Sequence, residues 1–262
     1  MDKKQLLDRT AKSTDERVLL GHILDKYEQC RQRNLPTNTA FLSPAEAQSA
    51  RELLHAAAVH DGFAFLGGYE GAERRMLFFL PDWQEEVDAA DEMAFVRARW
   101  HESEQLTHRD LLGSLMALGV TRDSLGDILV SGESADLIVS AGVAPYLLDN
   151  WTSAGRAALR LTRIDADALN VPEQKVKEIR DTVATLRLDA VTAAGFSMSR
   201  GKAAELIAAG RVQKNYRETT KGDAPVVQGD VISARGLGKF EVAEVGGLSK
   251  KGRTGILLRR YL

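Results

Sequence analysis

The sequence predicts an α+β protein of 262 residues with three units in series. Three observations carry this. Hydrophobic spacing changes from a helical to a strand period and back more than once along the chain. Between about 92 and 165 the elements read strand, helix, strand, strand, helix, strand. The last third is basic while the rest is acidic, with 14 Lys and Arg against 7 Asp and Glu from Ala184 to Leu262, and 21 against 30 before it. The expected units are a helical and hairpin domain at 1–90, a central βαββαβ domain at 91–165, a connector at 166–183, and a C-terminal unit of two helices and a small sheet at 184–262.

In the first unit, Leu19, Leu20, Ile23, Leu24 and Tyr27 form an apolar stripe at helical spacing. Ser43-Pro44-Ala45-Glu46 reads as a capping box with proline at the first helical position, opening a helix to about Val59. Phe63–Leu66 and Arg75–Leu80 read as strands around a glycine-rich turn.

In the second unit, Met93–Trp100 predicts a strand, and Thr107 with Asp110 caps a helix to about Leu118. Strands at Asp127–Val130 and Asp136–Val139, a helix at Ala141–Trp151 and a strand at Ala157–Ile164 complete the set. The order is the ferredoxin-like arrangement that RNA-recognition motifs share. Neither Asp127–Val130 nor Asp136–Val139, taken as the central strands, carries a stacking aromatic. The connector resists assignment, because Val176, Ile179, Val183 and Leu186 fit a helical period while TVATL is β-branched.

In the third unit, Leu188–Ala194 predicts a short helix ended by a left-handed Gly195. Ser199 caps a second helix, Arg200–Ala209, stopped by Gly210. Val212–Tyr216 and Val231–Ser233 read as strands, and Phe240–Val245 and Ile256–Tyr261 as a hairpin. Arg200 and Lys202 occupy the first turn of the second helix, where the dipole disfavours cations. The free amides of that turn favour anions. Cations and amides together suit a phosphate; the alternative is a pair of solvated surface charges.

This unit resembles the RNA-binding domain named after small-subunit ribosomal protein S-four. The likeness rests on Arg187-Leu188-Asp189, Ser199-Arg200, Ala203, Leu206-Ile207, Gly210, Val212, Asn215, Gly229-Asp230 and Ile232. Lys214 and Tyr216 depart from the pattern, standing where many such domains have an apolar residue and glycine, and are expected to face RNA. Over the whole chain, LTHRDLLGSLMALGVTRDSLGDILV, FLSPAEAQ, GGYEGAERR, TVATLRLDAV and GKFEVAEVGGLSKKGR resemble the bacterial YlmH family. Its members are S-four-domain, cell-division-associated RNA-binding proteins, with a plastid relative linked to photosystem II. The resemblance implies an RRM-like middle, a C-terminal RNA-binding domain, and binding to the large ribosomal subunit and tRNA in quality control of stalled peptidyl-tRNA.

Catalytic motifs are incomplete. His108-Arg109-Asp110 copies a kinase catalytic loop, but Leu115 stands where asparagine is required. Gly247–Thr254 is one residue from a P-loop, with Arg253 in place of the lysine and a strand expected after it. The five histidines show no metal-ligand spacing, the single Cys30 excludes an internal disulfide, and no cofactor is expected. Trp83, Trp100 and Trp151 are expected in the core. No apolar run approaches a membrane span and the first residues lack a signal-peptide core, so a cytoplasmic protein without a membrane partner is expected.

The reading is a non-enzymatic protein that binds ribosomal RNA and tRNA. Its expected contacts are Arg187, Arg200, Lys202, Arg211 and Lys214, with Ser199 and Asn215 as polar partners and Lys250, Lys251 and Arg253 extending the patch. Asp189 is expected to orient Arg187 or cap its helix, because a carboxylate repels phosphate. The rival is an RNA-modifying enzyme such as a pseudouridine synthase, which places this domain at its N-terminus. The acidic N-terminal body suits a protein partner under either reading.

Overall fold

The computed structural model describes residues 2–87, 89–173, 175–248 and 252–261. The fold is α+β, and the chain divides into two compact units, residues 1–172 and 173–262.

The first unit opens with helices α1 (Lys3–Thr10) and α2 (Thr14–Arg33). Ser13 caps α2 by accepting the Glu16 amide at 3.1 Å, and Asn34 ends it in the left-handed conformation. After β1 (Thr37–Asn38), the predicted capping box forms: Ser43 accepts the Glu46 amide at 3.3 Å and Glu46 accepts the Ser43 amide at 2.7 Å. It opens α3 (Pro44–Ala56). The hairpin strands β2 (Phe63–Leu66) and β3 (Met76–Phe79) join β1 in an antiparallel sheet of order β1-β3-β2. Leu20, Ile23, Leu53, Leu54, Leu77 and Phe79 form the core between helices and sheet. Cys30 is buried on α2.

The chain continues through β4 (Met93–Arg99), α4 (His108–Ala117), β5 (Leu125–Ser131), β6 (Ser134–Ser140) and α5 (Ala144–Asn150). A two-residue hairpin, β7 (Ser153–Ala154) and β8 (Ala157–Ala158), precedes β9 (Arg160–Ile164). The four long strands form one antiparallel sheet of order β5-β6-β4-β9. The central strands are therefore β6 and β4, not the pair taken as central from sequence. One face carries Val96, Leu137 and Val139 into a core with Leu111, Leu115 and Leu147 of the helices. On the other face, Met93, Leu129 and Ile138 pack against Phe41, Met76 and Phe78 of the N-terminal segment. The boundary expected near residue 90 thus lies inside a shared apolar cluster. Gly126 is needed there: a Cβ would meet the Phe41 ring at 2.9 Å, and the β5–β6 ladder shifts register across it.

The second unit contains β10 (Val176–Val183), α6 (Leu188–Gly195), α7 (Arg200–Ala208), β11 (Val212–Lys214), β12 (Arg217–Glu218), β13 (Val231–Ala234), β14 (Gly238–Leu248) and β15 (Thr254–Tyr261). Its sheet runs β10-β15-β14-β13-β11-β12, antiparallel throughout. The unassigned stretch before Arg187 is largely β10, paired in continuous register from Val176↔Tyr261 to Val183↔Thr254. So residues 176–183, placed in the connector by the sequence reading, belong to this sheet. β-branched residues suit that setting, and the helical spacing was coincidence. Leu188, Val191, Ile207, Val212, Phe240 and Leu258 build the core.

Two glycine expectations resolve differently. Gly210 is left-handed as predicted, at φ +67°. Gly195 is not; Ser197, at φ 54°, makes the left-handed turn between α6 and α7. Gly195 is required for space, because a Cβ would sit 2.3 Å from the Phe240 ring. The strand expected to reach Tyr216 ends at Lys214. Asn215 and Tyr216, at φ 50° and 62°, form a two-residue turn that pairs Lys214 with Arg217.

Candidate nucleic-acid interface

The site expected from sequence lies on α6, α7 and the turns around them. Ser199 accepts the Lys202 amide at 3.2 Å and starts α7. The amides of Leu188 and Asp189 donate to the carbonyls of Ala224 and Gly222, each at 2.9 Å, so a loop already caps α6. Between the two helix starts sits the Asp189 carboxylate, 8% exposed. It accepts Arg187 at 3.0 Å and Arg200 at 3.1 Å. Asp189 therefore orients not one guanidinium, as expected, but two. Burial pushes its carboxyl up, yet the Arg187 and Arg200 bonds outweigh that and hold it below the ordinary carboxylate value. The Arg187 and Arg200 side chains remain 42% and 53% exposed. Two fixed cations sharing one buried carboxylate leave a net positive charge with free donors facing outward.

Lys202 is exposed in the first turn of α7, and Arg211 is exposed beyond the other end of that helix. Lys202 Nζ lies 3.4 Å from Glu205, itself exposed, a weak tether along the helix. Arg211 donates to the Arg235 carbonyl at 3.4 Å.

Three other expected contacts, Lys214, Asn215 and Arg253, also hold the fold. Lys214 donates to the Pro225 carbonyl at 2.7 Å and pairs with buried Asp230 at 2.9 Å. Asn215 donates to Asp230 at 2.7 Å and accepts the Val231 amide at 2.8 Å. Lys214 and Asn215, both expected to meet RNA, are thus tied to buried Asp230 and hold their turn on β13, with Lys214 still 23% exposed. Arg253 donates to Thr182 Oγ1 at 2.9 Å and to the Thr182 carbonyl, pinning the β15 start to β10. Lys250 and Lys251 lie outside the described residues. Lys221, exposed in the loop that caps α6, is a cation the sequence reading passed over; no motif marked it.

His108-Arg109-Asp110 is the first turn of α4, with Asp110 accepting the Thr107 amide at 2.9 Å. The element after Gly252 is strand β15, the wrong context for a P-loop. Trp100 and Trp151 are buried as expected, but Trp83 is 61% exposed, its indole donating to the Asn34 carbonyl at 3.1 Å.

The first unit adds a cleft of about 780 Å³ whose lining includes Phe65, Tyr69, Arg75, Phe95, Arg163 and Asp165. Phe95 faces it from central strand β4, an aromatic the sequence reading missed by choosing the wrong central strands. Tyr69 donates to Asp127 at 2.8 Å, and Asp127 also accepts the Glu73 and Arg74 amides at 2.7 and 3.1 Å. Burial first, then that bond, raises the phenol well above its ordinary value.

The class comes from the middle sheet. A family model described as "Putative RNA-binding domain in YlmH" matches residues 99–168, so the chain is of the class that carries such a segment. The match falls on the middle sheet, not on the basic second unit. The ribosome-associated protein quality control protein P2 of Bacillus subtilis (strain 168) is 33% identical over 247 residues, 94% of this chain and 95% of that protein. The chain belongs to the YlmH family. Among solved structures, the cell division protein ylmH from Streptococcus pneumoniae is 21% identical, with a TM-score of 0.49, covering 61% of this chain and 98% of that one.

Proposed function

We propose that this chain is a non-enzymatic RNA-binding protein of the cytoplasm that contacts ribosomal RNA and tRNA on the large subunit, in quality control of stalled peptidyl-tRNA. The second unit acts as an S-four-type domain and the four-stranded sheet of the first as an RRM-like domain. The name of the Bacillus relative supports the ribosomal setting. The observation that carries the reading is the Asp189 carboxylate holding Arg187 and Arg200 side by side at two helix starts. Arginine in fixed pairs suits phosphate oxygens. No helix among the described residues is long and apolar enough to cross a membrane.

Arg187, Arg200, Lys202 and Arg211 are the phosphate contacts of this unit. Four contacts give a slope of log affinity against log salt of about −2.8, at roughly −0.7 per single-strand contact. Fluorescence anisotropy of labelled tRNA with the full chain tests this. Replacing Lys202 and Arg211 together by glutamate should weaken binding by about tenfold or more at fixed salt and flatten the slope by about 1.4. A salt-insensitive affinity, unchanged by that variant, would point instead to a pocket reading one base, as in an RNA-modifying enzyme.

A further inference from the structure

The outer face of the middle sheet changes character along its strands. At one end, Met93 and Ile138 are covered by the N-terminal segment, and Phe95 packs against the same cluster partly buried. In the next row, Arg97 donates to Asp136 at 2.6 and 2.7 Å and to the Ala168 carbonyl at 2.6 Å, while the Asn170 amide donates to Asp136 at 2.6 Å. The chain at 168–170 thus closes over a neutralised ion pair. Beyond that row the cover stops. Arg99 of β4 stands directly opposite Arg160 of β9, with Ser134 of β6 on its other side. Strand alternation puts Arg99 and Arg160 on the outer face with Arg97.

Both arginines are exposed, and neither side chain has a hydrogen bond or ion pair among the described residues. Asp136, the carboxylate two residues along β6, is spent on Arg97. Glu133, in the turn before Ser134, pairs with neither. Like charges directly opposite across an antiparallel pair destabilise the sheet. A sheet selected only for stability would place an acid at one of the two positions. The first unit carries a net negative charge, so nothing in its bulk composition accounts for two adjacent unpaired guanidiniums.

We infer that Arg99 and Arg160 form a second phosphate-binding site, on the open end of the middle sheet, that takes the backbone of an RNA strand. The inference rests on the RNA-binding reading above and adds a contact surface to it. Two guanidiniums on neighbouring strands present convergent donors to one phosphate or to two successive ones. The Ser134 hydroxyl lies in the same row. Arg99 and Arg160 belong to one compact unit, and Arg187, Arg200, Lys202 and Arg211 to the other.

The test uses the full chain, labelled tRNA and two readouts. Arg160→Glu sets a carboxylate opposite Arg99, so a sheet role and an RNA role predict opposite signs. The melting temperature should hold or rise as repulsion becomes attraction. The dissociation constant should rise by about tenfold, and the salt slope should flatten by about 0.7 to 1.4, as one or two contacts are lost. An unchanged affinity and slope, with the melting temperature held, would overturn this site. If binding is then still weakened by the Lys202 and Arg211 replacement, the RNA reading stands without it. Wild-type chain that fails to bind tRNA, with no salt dependence, would overturn both. If Arg160→Glu lowers the melting temperature, the Arg99→Ala, Arg160→Ala double variant decides on the same binding readouts, since it adds no new charge.

Discussion

Asp189 concentrates structural and functional demands in one side chain. Its carboxylate is buried at the start of α6, and its partners are two half-exposed arginines. Removing it leaves two guanidiniums facing each other, so Asp189→Ala should cost about 1–2 kcal/mol, below the full cost of breaking a buried pair because both partners keep water. Urea unfolding at pH 7 checks this. Because the folded carboxyl titrates below its ordinary value of 3.8, the unfolded chain binds the proton more readily. The stabilisation is therefore complete above about pH 4 and is lost as pH falls through the folded value. Wild type and Asp189→Asn should converge in stability on going from pH 5 to pH 3, and a constant gap would contradict the assignment. Lys214 belongs at this scale too. Its tie to Asp230 predicts that Lys214→Ala lowers the unfolding midpoint while leaving the salt slope of RNA binding unchanged. From sequence, Lys214 looked like a surface cation because Asp230 is sixteen residues away along the chain and only the fold brings them together.

Among elements, α6 shows how a correct boundary can have a different cause. Gly195 does end the helix, yet what the fold needs there is closeness to the Phe240 ring rather than a left-handed backbone. Gly195→Ala should then destabilise by about 1–3 kcal/mol through overpacking, even though alanine is the better helix former. A urea series comparing it with Gly201→Ala, where a Cβ meets nothing within 4 Å, separates the two effects. Elements with local signals were legible in the sequence. The Ser43 and Thr107 boxes, the Ser199 cap and the βαββαβ element order all depend on residues within a few positions of each other. What depended on distant pairing was not legible. The strand β10 finds its partner in β15, some eighty residues on, and nothing near it marks a strand edge. The central position of β4 is a property of sheet order, so Phe95 could not be ranked as an aromatic on a central strand from its own segment. The Arg99–Arg160 juxtaposition needs the β4–β9 register in the same way.

At the scale of the molecule, the division into compact units and the charge split fall at different places, and the difference is testable. The charge split and the two-helix motif together suggested a C-terminal fragment beginning at Ala184. The sheet says it must begin before Val176, because β10 covers the whole edge of β15 and buries Val183 in the core. Residues 173–262 should fold cooperatively as an isolated fragment, whereas 184–262 should be unstable or aggregate through the bared β15 edge. Circular dichroism melts and sedimentation distinguish these outcomes. The same division sets the salt dependence of RNA binding. If Arg187, Arg200, Lys202 and Arg211 act in one unit and Arg99 and Arg160 in the other, residues 173–262 should show a slope of about −2.8 and residues 1–172 about −1.4. When one RNA engages both units, the counterions released add, so the full chain should approach about −4.2. A full-chain slope equal to that of 173–262 would mean that the middle sheet stays off the RNA while the second unit is bound. A steeper one requires that both surfaces meet the same molecule.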